Sequence, residues 1–142
     1  MRQPNAALKP LAQLLLTHEA EAERPSDALE RVCATLRLHL AKLMGLDGFT
    51  LLIVRALTFA RADFPWLAGI QTESDGSLKG VHAAAQQAPA DALAGFTAVL
   101  SHFFGLLMAL IGETLTLRLL QGIWPEIDLG GNDLDLGREE TT

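Results

Sequence analysis

Four histidines, His18, His39, His82 and His102, stand in the chain without the i, i+3 or i, i+4 pairing through which helices hold zinc or a di-iron centre, so no metal and no cofactor is expected. Ser101 directly precedes His102, but neighbouring residues on a helix point about 100° apart, and the G-x-S-x-G turn of a nucleophile elbow is missing. His102 therefore reads as a hydrogen-bonded core histidine or the wall of a pocket. Cys33 is the single cysteine, so no intramolecular disulfide can form, and nothing beside it marks the thiol for reactivity. Glu113 has the most unusual setting, with apolar runs on both sides, where a carboxylate is costly unless paired. Three accounts stand open for it: a partner in Arg118, Arg55 or Arg61, exposure at a helix break beside Gly112, or a role in ligand binding or proton transfer.

Two short stretches come near known chemistry and stop short of it. The segment "GSLKG" shares Leu78, Lys79 and Gly80 with the H-x-L-K-G core of histidine phosphotransfer domains, but Gly76 stands where the phosphorylated histidine belongs and His82 lies on the wrong side. The tail "LGGNDLDLG" offers Asp128, Asn132, Asp133 and Asp135 as oxygen donors in one imperfect copy of a calcium nonapeptide, a motif that needs stacked repeats. No phosphate-cradling glycine loop or dinucleotide fingerprint is present. No catalytic residue is expected.

The elements that would position any site are helical. Leu8, Leu11 and Leu15 recur at helical spacing with Pro10 in the first turn, predicting a helix over about 8 to 22. After "ERPSD", Ser26 is the expected cap of a second helix over about 27 to 44, with Leu29, Val32, Cys33, Leu36, Leu40 and Leu43 as its apolar stripe. "GLDGF" breaks the chain, and a third helix resumes until Pro65. Phe49, Leu52, Ile53, Ala56 and Ala60 form one face of it, and Leu51, Val54 and Leu57 predict burial on further sides. Asp75 and Gly76 predict a turn, with a short polar hairpin over about 69 to 80. A short helix over 81 to 88 and a long apolar helix over 91 to 124 follow, ended by the Trp124–Pro125 pair.

Together these predict an all-α, compact helical bundle of about five helices with a long, kinked central apolar helix. Residues 1–127 form the single domain, and 128–142 form an acidic tail with little fixed structure. A 49% hydrophobic share with only 6% aromatics fits helices packed through aliphatic contacts. A net charge of −6 with basic residues scattered singly excludes a general nucleic-acid partner. The N-terminus reads as no export signal, because Pro4, Lys9 and Pro10 interrupt its apolar patch, so a cytoplasmic setting is expected.

Residues 92 to 112 carry no formal charge apart from His102, enough apolar length for a bilayer of ~30 Å. Three features favour a core helix: no aromatic belt or basic flank marks the ends, Ser101 and His102 would lie mid-membrane, and the helical pattern continues through Leu115, Leu119 and Ile123. Thr97, Ser101, Gly105 and Ala109 recur every fourth residue, a small-residue ridge that admits a neighbouring helix. An unbroken helix over 91 to 124 would be about 50 Å long at ~1.5 Å per residue, longer than a compact domain of roughly 35 to 40 Å. It must bend, most naturally at Gly112, or be covered by a second chain.

The segments "ALTFARADFPWLAGIQTESDGSLKG" and "LIGETLTLRLLQGIWPE" resemble a group of uncharacterised small all-helical bacterial proteins that share a "PWL" helix end, a "DGSL-G" turn and an "IGE-LTLRL---WP" helix. The resemblance covers about residues 50 to 127. It implies a bacterial, all-helical chain with Pro65, Trp66, Gly76, Leu78, Gly80, Gly112, Glu113, Thr116, Arg118, Trp124 and Pro125 as its distinctive positions, and implies no activity.

The apolar excess, set beside the missing chemistry, points to a non-enzymatic helical interaction or regulatory module that self-associates as a homodimer or docks a protein partner. Trp66, Gly105, Gly112 and Arg118 are its expected structural or interface positions. The alternative is a sensor of an apolar small molecule or lipid, bound between helices by His102, Phe103, Phe104, Met108, Glu113 and Trp124. A third reading is a membrane-active bundle that exposes its central helix.

Overall fold

Apolar residues at helical spacing fold into five α-helices among the described residues: α1 (Lys9–Ala20), α2 (Pro25–Arg61), α3 (Val81–Gln87), α4 (Ala92–Ile111) and α5 (Glu113–Ile123). The computed structural model describes residues 8–20 and 24–126, so the tail expected over 128–142 lies outside the described residues. The expected all-α bundle is the observed fold.

Both long apolar stretches break at a glycine. Gly45 holds φ 84 and ψ 158 inside α2, dividing it into a first arm over 25–44 and a second over 46–61. Gly112 holds φ 92 and ψ 155 between α4 and α5. That backbone region is closed to residues with a Cβ, so each glycine stops the helical ladder where "GLDGF" and "LIGE" predict a break. Pro25 opens α2 in the first turn, where its missing N–H costs nothing. The cap position is Arg24, not Ser26. Ser26 lies one step inside the helix with its side chain buried.

The core forms where α1, both arms of α2 and α4 pack together. Leu11, Ala12, Leu15 and Leu16 of α1 are buried, as are Leu29, Val32, Leu36 and Leu40 of the first arm. The second arm buries Phe49, Ile53, Ala56, Leu57 and Ala60. Phe49 meets Phe103 with ring centroids 5.6 Å apart, and Trp66, just beyond α2, meets Phe96 at 5.6 Å. These ring contacts hold the second arm of α2 and the segment after it against α4. A Cβ on Gly95 would stand 2.4 Å from Trp66 Cζ2, so the glycine is what lets the indole lie on α4. The small ridge is split by the packing, with Thr97 and Ser101 buried, Gly105 half-buried and Ala109 exposed.

The polar hairpin is present in miniature. β1 (Gln71–Thr72) pairs antiparallel with β2 (Leu78–Lys79), Gln71 opposite Lys79 and Thr72 opposite Leu78. Ser77 donates from its backbone N–H and its hydroxyl to Asp75 Oδ1 at 2.9 and 2.6 Å, closing the turn. Gly76, at φ +84, seats this tip in the bend of α2: a Cβ there would lie 3.0 Å from Thr50 Oγ1 and 3.3 Å from Arg37 Cδ. Arg37 Nη1 donates to the Asp75 carbonyl at 3.3 Å and lies 3.6 Å from its carboxylate. The hairpin thus braces both arms of α2 at once.

Two expected faces differ from the packing. Leu43, expected on the buried stripe of the second helix, is 52% exposed just before the break. Leu51 and Val54, expected to be buried on further sides of the third, are 61% and 40% exposed, because α4 covers one side of that arm and no described element covers the opposite one.

Candidate functional site

The described serine, histidine and cysteine side chains are spread over the bundle and differ in burial. Ser101 Oγ is buried without a hydrogen-bond partner, so it forms no dyad with His102. The His102 ring lies 5.6 Å from that of Phe59, and burial pushes its pKa down, a shift that the nearby Asp63 carboxylate opposes. His39 Nδ1 donates to the Thr35 carbonyl one turn back at 3.0 Å, and the His18 side chain lies outside the described residues. Cys33 is 5% exposed, and burial, helped by Glu30, pushes its thiol up to about 12. It stays protonated at neutral pH and is a poor nucleophile. Among the described residues no group of three His, Cys, Asp or Glu side chains is placed to hold a metal ion.

One serine–histidine pair escaped the sequence reading. His82 Nδ1 lies 3.2 Å from Ser26 Oγ, while Arg24 Nη1 lies 3.0 Å and Gln86 Nε2 3.2 Å from His82 Nε2. A guanidinium only donates, so Nε2 is the acceptor and the ring proton sits on Nδ1, donated to the serine. The lone pair that a general base needs is turned away from the hydroxyl. The cluster is a clamp that ties the start of α2 to α3. Nothing local marks it, since the partners are 56 residues apart.

The residues expected to form an apolar pocket are dispersed in role. Phe103 and Phe104 are fully buried and meet edge to face at 5.9 Å, Trp124 is buried, and Met108 is half-buried. Glu113 is exposed as the first residue of α5, where its charge favours the helix dipole, and it makes no ion pair with a described residue. Arg118 and Gly112 are exposed, and Trp66 and Gly105 are half-buried. A groove of about 260 Å³ lies elsewhere, between the first arm of α2 and the hairpin, lined by Glu30, Cys33, Ala34, Arg37, Gly76, Ser77 and Leu78. Its one cation is already held by Asp75.

What remains is a surface. The second arm buries one side through Ile53, Ala56, Leu57 and Ala60, turns Leu51 and Val54 outward and carries the half-exposed Phe59 at the edge of that face, its ring beside His102. Leu46, Leu110 and Leu115 add exposed apolar area near the two glycine breaks. Arg55 lies over the Phe59 ring with its guanidinium carbon 5.8 Å from the centroid. The chain segments 25–61 and 89–111 are each long and apolar enough to cross a membrane, yet only 33% of the most apolar window of the first is buried, against 56% for the second. The sequence signal for this surface was the apolar character of Leu51 and Val54 off the main face.

The described residues form a helical bundle in which the second arm of α2 carries an under-covered apolar face. Comparison of the chain with protein-family models, curated proteins and solved structures returns no match.

Proposed function

We propose that this chain is a non-enzymatic helical interaction module that self-associates through the outward face of the second arm of α2. The observation that carries the reading is the exposure of Leu51 and Val54, with Phe59 at their edge beside His102, on a helix whose opposite side is already packed. Burying apolar surface yields ~25 cal/mol per Å², so large side chains left in water on one face are a standing drive to association. The settings of Ser26, Cys33 and Ser101 argue in the same direction, away from catalysis.

The same face serves a second reading, contact with a lipid surface, since α2 and α4 have the length and apolarity of membrane helices. The net charge of −6 opposes approach to an anionic bilayer. Sedimentation velocity over a concentration series is the deciding measurement. A dimer is expected for the wild type, and a monomer of unchanged helical circular dichroism for Leu51→Glu. A wild-type monomer at the highest concentration, floating with zwitterionic vesicles, would transfer the face to the lipid reading.

A further inference from the structure

We infer that the partner on this face is a second copy of the chain, laid antiparallel across the second arm of α2 about a two-fold axis at Leu51, so that Asp47 of each copy meets Arg55 of the other. This rests on the self-association reading and adds its arrangement. Asp47, Leu51 and Arg55 follow one another at i, i+4 and i+8, the spacing of a single ridge on a helix surface, and all three are exposed. The ridge carries an acid at one end, a base at the other and the most exposed apolar residue of the arm between them.

Two such ridges pack side by side when helices cross at about 50°, the commonest helix-packing geometry, and a two-fold axis lying across the helices makes the pair antiparallel. Leu51 then lies against Leu51, and the sequence symmetry about that position sets residue 47 opposite residue 55. Gly48, in the neighbouring row, has no side chain, and an added Cβ there would meet only Met44 of its own helix, at 3.3 Å. The groove beside Leu51 is therefore open to a partner's ridge.

Charge selects this register over its competitors. A parallel pair about a two-fold axis along the helices sets Asp47 against Asp47 and Arg55 against Arg55. An antiparallel pair centred between Val54 and Arg55 brings the two Arg55 side chains together and sets Asp47 near the end of the arm that carries Asp63. An axis at Val54 or at Phe59 would also oppose unlike charges, Asp47 to Arg61 or Arg55 to Asp63, but Arg61 donates to the Ile70 carbonyl at 3.1 Å and Asp63 lies beyond the end of α2, so the axis at Leu51 is the one that pairs two exposed charges of the helix itself. Asp47 forms no ion pair with any described residue, and the Phe59 ring holds Arg55 on the outward face, so both are placed for a partner.

Charge reversal tests the arrangement on the full chain. Asp47→Arg and Arg55→Asp are each expected to weaken dimerisation about tenfold or more by sedimentation equilibrium, while the double variant D47R/R55D returns it to within about threefold of wild type. In a Cys33→Ser background, Leu51→Cys is expected to give a disulfide-linked dimer under mild oxidation. A dimer whose affinity ignores both reversals, or whose double variant is weaker than either single one, overturns this arrangement and leaves self-association standing. A wild-type chain that stays monomeric removes both.

Discussion

Asp75 shows how one exposed side chain can hold an element in place. Hydrogen bonds from the Ser77 hydroxyl and backbone N–H, followed by the charge of Arg37, hold its carboxyl below the ordinary value of 3.8. A carboxyl depressed in the fold adds stability that is complete above its unfolded pKa and is lost as pH falls through its folded pKa. Wild-type urea midpoints should therefore fall as pH drops below about 4, and Asp75→Asn should start lower at pH 7 and fall less over that window. Equal slopes for the two proteins would show that the turn is held without the charge. The Asp75–Gly76 turn itself was legible in the sequence, because that dipeptide tolerates few other conformations. Its seat against Arg37 and Thr50 was not, since a helix 38 residues earlier in the chain supplies the socket.

At the scale of elements, the two glycine breaks were the most legible features and the helix faces the least. Gly112 interrupts an apolar run over 91 to 124 too long for a compact domain, whose length demanded a bend or a covering chain, and "GLDGF" marked the break at Gly45. Which side of the second arm stayed uncovered was hidden, because Leu51 and Val54 are as apolar as Ile53 and only the path of α4 decides between them. Neither break is sterically crowded: nothing lies within 4 Å of a Cβ built on Gly45 or Gly112. The cost of a side chain there is thus backbone strain alone, and Gly112→Ala should destabilise the fold by ~1–2 kcal/mol in urea unfolding. Hydrogen exchange should show its effect concentrated in α5, where the α4–α5 junction would be drawn toward a continuous helix. An unchanged midpoint would mean that the φ of 92 at this position is not required.

For the whole molecule, the question is whether the fold of one copy is the unit of stability. The core assembled by α1, α2 and α4 is continuous and buries four phenylalanine rings completely, so a single copy has its own interior. The second arm nevertheless leaves Leu51, Val54 and Phe59 in water on a helix only partly buried by its own chain. If a second copy covers them, folding and association are linked, and the unfolding midpoint must rise with protein concentration because mass action favours the dimer over two unfolded chains. Calorimetry between about 5 and 500 μM is expected to raise Tm by several degrees in the wild type. Leu51→Glu should give a concentration-independent Tm close to the wild-type value at the lowest concentration. That contrast separates a lost interface from a damaged core: a variant that unfolds far below the wild type at every concentration would place Leu51 among the residues that hold one copy together. A wild-type Tm that ignores concentration would leave the monomer as the stable unit and the exposed face to another occupant.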